Sequence, residues 1–241
     1  MLSFRTMSTD WQQSIERALS SATDADSLQA TAAAAARSLG YDFFAYGMRV
    51  PVPLSRPTTH MFNNYPQAWQ QRYAEQAYLA VDPTVAHAMR STAPLQWSEQ
   101  VFAPARHLWE DAQGHGLHVG WAQAAVNPNG AIGMLTLARS CEAITDSELR
   151  TSGLHMHWLA HAVHEHAARV LAPQFRALPQ LTERECDVLR WTADGKTSGE
   201  IGDILGLSER TVNFHINNCM EKLGAVNKTA CTIKAAMLRL I

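Results

Sequence analysis

The most restrictive feature of the sequence is a pair of short helical segments near the C terminus, joined by the turn Gly206-Leu207-Ser208. Two helices joined by a three-residue turn that contains glycine are typical of a helix-turn-helix module. Ser198 is predicted to cap the first helix, and Ser208 the second, which spans residues 209–223. Thr182, with Glu185 three residues later, predicts a capping box on a preceding helix. The end of the chain is therefore predicted to be a small all-α domain.

The second helix of this pair has two chemically different faces. At helical spacing, one face is apolar and the opposite face polar. The apolar face carries Val212, Ile216, Cys219 and Leu223, and the opposite face carries Arg210, Asn213, Phe214, Asn217 and Glu221. Asparagine can pair with adenine, and arginine with guanine, in the DNA major groove. The pattern favours a DNA-contacting helix; the alternative is a helical bundle with an ordinary solvated polar face.

Charge limits how such a domain could bind DNA. Residues 178–241 contain eight Lys or Arg and eight Asp or Glu, and the whole chain has a formal net charge of −2. A neutral domain makes few net phosphate contacts, so a monomer should bind DNA weakly. Two copies would double those contacts, so DNA binding implies a homodimer.

Composition excludes several other classes of protein. Hydrophobic residues are 46% of the chain and charged residues 17%, which is typical of a globular protein. No apolar run is long enough for a membrane span or a signal peptide. The four cysteines have no metal-binding or redox spacing, which indicates free thiols and a cytoplasmic protein. No phosphate-binding loop, dinucleotide motif or nucleophile elbow occurs, so we expect neither a catalytic site nor a cofactor.

The chain is predicted to divide into two domains. All four lysines follow residue 195, and two prolines, Pro173 and Pro179, interrupt the preceding segment. Prolines spaced in this way break helices and favour an extended linker. We therefore predict a first domain over residues 1–170, a linker over 171–179 and a second domain over 180–241.

The first domain is predicted to be α+β, with an antiparallel sheet covered by helices. Thr145 and Glu148 predict a capping box on its last helix, and Asn-Gly at 129–130 predicts a hairpin. A proline-rich loop is expected over 51–57. Periodicity and composition predict helices over 10–20, 26–39, 66–78, 83–90, 104–114 and 145–169, and strands over 41–50, 58–64, 94–98, 118–126 and 131–139.

Two stretches of the chain resemble a known family. The C-terminal stretch Leu181–Gly224, followed by Asn227-Lys228, closely resembles the DNA-binding domain of LuxR-type regulators. Asn64-Tyr65-Pro66, Trp69, Tyr73, Val81-Asp82-Pro83-Thr84 and Trp97 look like the autoinducer-binding domain of its quorum-sensing branch. This resemblance implies an α-β-α sandwich that binds an N-acyl homoserine lactone between its sheet and its helices.

The resemblance also implies a role for each ligand-binding residue. Asp82 would accept from the ligand amide N–H, and the donor-only indole of Trp69 would serve the lactone carbonyl. Tyr65 and Thr136 would hold the amide carbonyl, and the pocket would be walled by Tyr73, Trp97, Phe102 and Trp109. Without ligand, Asp82, Trp69 and Tyr65 would then have unmet hydrogen bonds. Each residue also has a purely structural interpretation, as a core aromatic, a helix cap or an ordinary strand residue.

The predicted DNA contacts lie on and around the helix pair. The candidate residues are Lys196, Thr197, Ser198, Arg210, Thr211, Asn213, Asn217, Lys222 and Lys228. The implied partners are an inverted-repeat promoter site, a second copy of the chain and RNA polymerase, with transcription activated. One alternative is an orphan regulator that senses another small molecule or none. Another, from a different class, is an enzyme fused to a regulatory tail.

A histidine-rich stretch, 155–166, has two possible interpretations. His157 and His161 are one helical turn apart, a spacing that can bind a metal ion. The sequence has no HExxH motif, and the stretch lies in a long amphipathic helix that is near the dimer interface in the proteins it resembles. We therefore predict a polar helix surface and no metal site.

Overall fold

The chain folds into two compact units. The computed structural model describes residues 4–50, 57–128, 130–172 and 179–241. The first unit contains residues 4–50, 59–127 and 131–172, and the second contains residues 179–241. Most of the predicted loop at 51–57 and most of the linker at 171–179 lie outside the described residues, so the domain boundaries remain predictions.

A five-stranded sheet forms the centre of the first unit. Its strands lie in the order β2-β1-β5-β4-β3, and all pairings are antiparallel, as predicted. Because side chains alternate along a strand, the sheet has two distinct faces. The strands are β1 (Phe43–Arg49), β2 (Thr59–Asn63), β3 (Leu95–Gln96), β4 (Val119–Val126) and β5 (Ile132–Arg139).

Helices cover both faces of this sheet and confirm the predicted sandwich. On one face lie α1 (Phe4–Ser21), α2 (Ala25–Ser38) and α7 (Asp146–Leu171). On the other lie α3 (Gln67–Glu75), α4 (Pro83–Ala88), α5 (Glu99–Phe102) and α6 (Arg106–Gly114). The predicted helix over 104–114 is in fact divided, since a 3₁₀ turn, Ala103–Ala105, precedes α6. No helix in the described ranges is both long and apolar enough to cross a membrane.

The face under α7 is packed with large side chains and contains a buried polar link. The Tyr46 hydroxyl lies 2.7 Å from His164 Nδ1, and His164 Nε2 lies 3.2 Å from the Ala131 carbonyl. Burial lowers the pKa of His164 to about 4, so the ring is neutral and accepts from Tyr46 while it donates to Ala131. A Cβ at Gly133 would lie 2.2 Å from His164 Nδ1, which is why glycine occupies this position.

Two predictions about α7 are wrong in detail. Thr145 caps the helix, but Glu148 does not complete a capping box, because both its carboxylate oxygens accept from Arg139, at 2.9 and 2.8 Å. Nor is the histidine stretch a polar surface throughout. His164 and His166 are buried, and His166 lies 2.8 Å from the Glu16 carboxylate. No group of three or more metal-ligating side chains occurs among the residues that the structure describes.

The second unit consists of the helices α8 (Glu183–Ala193), α9 (Ser198–Leu205), α10 (Glu209–Leu223) and α11 (Lys228–Met237). Thr182 forms the predicted capping box with Glu185, and Ser208 caps α10 as predicted. The predicted cap of α9 is wrong by one residue. Thr197 is the cap and forms its own box with Glu200, which places Ser198 in the first turn. The apolar face of α10 is buried as predicted.

A buried ion pair connects α8 to α10. The Glu185 carboxylate is 3% exposed and accepts from Lys222 Nζ at 2.7 Å and from the Thr182 backbone N–H at 2.7 Å. Burial raises the pKa of Glu185, but the bonds from Lys222 and Thr182 outweigh that effect, and the pKa is lowered overall. The ionised carboxylate therefore stabilises this unit, because its lowered pKa makes the charged form the favoured one in the fold.

We expect acid and Lys222→Met to weaken the second unit through the same carboxylate. A lowered folded pKa gives stability that is present above the ordinary value, 4.5, and is lost as pH falls through the folded value. Lys222→Met should cost about 1 kcal/mol at neutral pH, a modest figure because the lysine is partly exposed. Hydrogen exchange of α8 and α10 at neutral and acidic pH measures both effects. Lys228→Met removes the same charge without touching Glu185; an equal loss there would contradict this account.

Candidate ligand and DNA sites

The sheet face under α3–α6 is lined by small side chains where the other face has large ones. Ala45, Thr136 and Ala122 are direct partners across β1, β5 and β4, so their side chains share this face. The next row contains Gly47, Met134 and Ala124. Small residues leave room above the sheet, and Thr136 provides a hydroxyl there. In the sequence of β4, small residues alternate with larger ones. The sequence analysis did not infer from this that one sheet face has small side chains.

Six of the eight candidate ligand residues belong to one aromatic cluster that packs on this face. Trp69, on α3, is buried; its ring centroid is 5.6 Å from Tyr73. Phe102 and Trp109 stack at 4.8 Å. The other two members of the six are Tyr65 and Trp97, and the cluster also includes Ala138 of β5. The structure therefore brings together residues that the chain separates by up to 44 positions, from Tyr65 to Trp109.

Asp82 joins the cluster through Tyr73, whose hydroxyl donates to Asp82 Oδ2 at 2.9 Å. Asp82 also caps α4: its Oδ1 accepts from the Thr84 N–H at 2.8 Å and from the Thr84 hydroxyl at 2.6 Å. Burial raises the pKa of Asp82 above its ordinary value, although the bonds from Thr84 and Tyr73 lower it. The Val85 backbone N–H also lowers the pKa of this carboxylate, whose Oδ2 faces the aromatic cluster through Tyr73.

Two more polar groups of the cluster lack partners. Burial, assisted by the Asp82 charge, raises the pKa of Tyr65, and no hydrogen bond to its hydroxyl occurs within the described ranges. The Trp97 indole Nε1 is buried and has no acceptor in the described part of the chain. Trp97 packs against Gly120, where a Cβ would come within 2.3 Å of the ring. A buried donor without an acceptor costs about 1–3 kcal/mol, which an incoming acceptor would relieve.

The hypothesis of unmet hydrogen bonds is therefore wrong for Asp82, which accepts from Tyr73 and Thr84. Within the cluster, and among the described residues, the buried donor without an acceptor is the indole of Trp97, which was predicted only to line the pocket. The sequence analysis also missed a set of hydrogen bonds beside Trp69. Asp111 of α6 accepts from Arg72 Nε at 2.5 Å and from the Tyr78 hydroxyl at 2.6 Å. Nothing local in the sequence indicates that pairing.

In the second unit, the candidate base-contacting residues lie on the exposed face of α10. Arg210, Asn213 and Asn217 are all exposed, opposite the buried face. Asn213 is partly committed, because its Oδ1 accepts from the Ser198 hydroxyl at 2.8 Å and so ties α10 to α9. No such bond holds Asn217 in the described part of the chain. Asn217 is thus the freer of the two amides to contact a base edge.

The remaining candidates differ in exposure and in their bonds. Thr197 is exposed, but its hydroxyl is engaged with Glu200 in the cap of α9, while Lys196 and Lys228 are half-buried. The Thr211 hydroxyl lies 2.7 Å from the hydroxyl of Ser208, within the cap of α10. Lys222 is bound to Glu185, so its charge is partly neutralised within the unit. The structure therefore leaves Arg210 and Asn217 as the least constrained of these candidates.

Comparison with known proteins gives matches to both units. Residues 24–167 match the family model of the autoinducer binding domain, and residues 179–235 match that of the bacterial regulatory proteins of the luxR family. The transcriptional activator protein AnoR of Acinetobacter nosocomialis is 45% identical over 237 residues, 96% of this chain and 99% of AnoR.

Three solved structures are similar to between 69% and 97% of this chain. The crystal structure of Escherichia coli SdiA has a TM-score of 0.77 at 34% identity and covers 97% of this chain and 98% of its own. SdiA in complex with octanoyl-rac-glycerol has a TM-score of 0.75 at 34% identity, with 95% of each chain covered. CepR2 from Burkholderia cenocepacia, an N-acylhomoserine lactone dependent transcription factor, has a TM-score of 0.63 at 28% identity, over 69% of this chain and 98% of its own.

Proposed function

Because this chain belongs to the LuxR family of quorum-sensing transcriptional regulators, which are not enzymes, we propose that its autoinducer is an N-acyl homoserine lactone. The observation that carries the proposal is Asp82, a buried carboxylate in an aromatic cluster, whose Oδ2 accepts from Tyr73. A lactone of this class has one amide N–H, and a carboxylate oxygen is the kind of acceptor that it needs.

The other polar groups of the ligand have partners of the right kind in the cluster. Its two carbonyl oxygens need donors, and the hydroxyl of Tyr65 and the indoles of Trp69 and Trp97 are donors. The small side chains of Ala45, Ala122 and Gly47 leave space for an apolar chain. Ligand binding would stabilise the first unit by mass action, by about 2.7 kcal/mol at a hundredfold excess over Kd.

We propose that the liganded protein binds an inverted-repeat promoter site as a homodimer and activates transcription. The second unit carries eight basic and eight acidic residues between 178 and 241, so one copy would neutralise few phosphates. Two copies would place two α10 helices about 34 Å apart, in successive major grooves. The activator AnoR supports activation as the direction of control, and RNA polymerase is the partner that activation implies.

A second candidate ligand is an acyl glycerol. SdiA, which shares the fold of the whole chain, forms a complex with octanoyl-rac-glycerol. This molecule has no amide N–H, but its glycerol hydroxyls are donors that could bond to the Asp82 carboxylate. The two ligands differ in the group offered to Asp82, so direct competition separates them.

The test is to purify the full chain with each of a series of N-acyl homoserine lactones or with octanoyl glycerol. Organic extraction and mass spectrometry identify what is retained, and DNA retention is measured from a random duplex library. The proposal expects one lactone to be retained and to be required for DNA binding. Retention of octanoyl glycerol alone would support the second candidate, and DNA binding without any ligand would support an orphan regulator.

Trp69→Phe is expected to weaken binding of the best-retained lactone roughly fivefold. The variant keeps an aromatic ring but removes the indole donor, a loss of about 1 kcal/mol in binding free energy. The increase in melting temperature at a fixed lactone concentration measures the effect. Trp11→Phe is the matched control. It also removes an indole donor, the one bound to Ser38 at 2.7 Å between α1 and α2, and should leave the lactone response unchanged. Equal responses of the two variants would reject Trp69 as a ligand contact.

A further inference from the structure

Phe214 is an exposed aromatic residue on the outer face of α10. Its side chain is 60% exposed, although the neighbouring apolar residues Val212 and Ile216 are fully or almost fully buried. At 100° per residue, Phe214 points almost directly away from the centre of the buried face. Its ring meets only that of His215, edge-on at a centroid distance of 5.8 Å, among the ring contacts of the described residues. The packing of the second unit therefore gives no reason for a phenyl ring at this position.

An exposed apolar residue needs no explanation by itself, because single ones are common on protein surfaces. The position of Phe214 among its neighbours is what distinguishes it. Arg210 precedes it by one helical turn, Asn217 follows by three residues, and Asn213 is adjacent; all three are exposed on the same side of α10. If these side chains enter a major groove, as the proposed function requires, the phenyl ring enters the groove with them.

The chemistry of the major groove offers such a ring one suitable partner. Base edges there carry polar atoms, and the C5-methyl group of thymine is the apolar exception. A phenyl ring against a polar edge would leave a donor or acceptor without water or a partner, at a cost. Against a thymine methyl the ring loses water and no hydrogen bond.

We propose that Phe214 is a specificity-determining residue that selects thymine, through its C5-methyl group, between the bases contacted by Arg210 and Asn217. This proposal rests on the proposed function, since it presumes that α10 enters the major groove. It adds a chemical requirement on the DNA: a T·A pair at one position in each half-site, recognised by apolar contact.

The experiment uses the full chain with its best-retained lactone and a random duplex library. Sequences that the wild type enriches are synthesised with thymidine or, at one position at a time, with deoxyuridine, which pairs identically but lacks the methyl group. For the wild type, deoxyuridine at the contacted position of one half-site should weaken binding about three- to tenfold, the effect of one buried methyl group or slightly more. Phe214→Ala removes the ring from both half-sites, so it should weaken binding to the thymidine duplex more than one deoxyuridine does, and it should bind both duplexes equally.

Phe214→Ala should fold normally, because the residue is exposed and alanine favours helices. Val226→Ala shortens another apolar residue of the second unit, 88% exposed, and should keep the full difference between the duplexes. Equal affinity of the wild type for both duplexes at every position would overturn the proposal, as would an undiminished difference in Phe214→Ala. If the wild type enriched no sequence at all, the proposed DNA-binding function itself would fail, a distinct outcome.

Discussion

Asp82→Asn is expected to abolish most of the lactone response and, at neutral pH, to raise the stability of the ligand-free protein. Asparagine keeps one oxygen, which the Thr84 backbone N–H and hydroxyl already occupy. Its amide NH₂ group then replaces Oδ2, so the ligand N–H meets a donor and finds no acceptor. Loss of a hydrogen bond to a charged group should weaken lactone binding roughly ten- to a hundredfold.

The opposite effect on stability follows from the sign of the pKa shift. Burial is the largest influence on Asp82 and raises its pKa above the ordinary value of 3.8. The folded state thus binds the proton more tightly than the unfolded state. Stability contributed by this group is present at low pH and is lost as pH rises from 3.8 through the raised value. A neutral asparagine avoids that loss, so the melting temperature of the variant should exceed that of the wild type at pH 7 and depend less on pH.

Asp24→Asn is the matched control for this prediction. Asp24 caps α2 with a similar pair of bonds, since its Oδ1 accepts from the Ser27 backbone N–H at 2.8 Å and from the Ser27 hydroxyl at 2.6 Å. It lies outside the aromatic cluster, and hydrogen bonds from Ser27 lower its pKa. Asp24→Asn should leave the lactone response intact and should not raise stability. A lactone-induced shift in Asp82→Asn as large as that of the wild type would remove the basis of the proposed site.

Gly202→Ala is expected to destabilise the second unit by about 2–3 kcal/mol and to abolish DNA binding. A Cβ at Gly202 would lie 2.6 Å from the Leu207 carbonyl oxygen and 3.5 Å from the Glu209 nitrogen. These atoms are backbone, and the Leu207 N–H also donates to the Gly202 carbonyl at 2.8 Å. The turn cannot accommodate this Cβ without moving the start of α10. This helix carries the candidate base contacts.

Gly199→Ala, three residues earlier in α9, should have the opposite effect. Nothing lies within 4 Å of a Cβ at that position. Alanine in a helix is more stable than glycine by about 0.5–1 kcal/mol, so this variant should be slightly more stable than the wild type. Hydrogen exchange followed by mass spectrometry resolves α9 and α10 from the sheet and measures both changes in the full chain. If hydrogen exchange in α9 and α10 were the same in the two variants, the close contact at Gly202 would not limit the stability of the second unit.

Helix ends and strand alternation could be predicted well because they depend on neighbours in sequence. A cap at Thr182 or Ser208 is decided within three residues, and the two were placed correctly. The error at Ser198 has the same origin. Thr197 and Ser198 are both good caps, and Glu200, three residues after Thr197, completes the box with Thr197. The reciprocal bonds with Glu200 therefore make Thr197 the cap, although Ser198 is also a suitable residue type.

The ligand residues could be placed by resemblance, but their hydrogen-bonding state could not. Asp82 was expected to be unsatisfied, yet Tyr73 on another helix donates to it. Glu148 was expected to bond to its own helix, yet Arg139 of β5 takes both its oxygens, because a guanidinium offers two parallel charged donors. Such partners are brought together by packing, and no spacing rule connects them.

The order of residues along this chain therefore decided everything that a few neighbours can decide: which segments are helices or strands, where most of them end, and which faces are apolar. The tertiary structure alone decided which polar atoms are left over. Among the residues that the structure describes, the indole of Trp97 has no acceptor, whereas the carboxylate of Glu185 is bound by Lys222 from another helix. The physical reason is that burial makes every donor and acceptor depend on its surroundings in space.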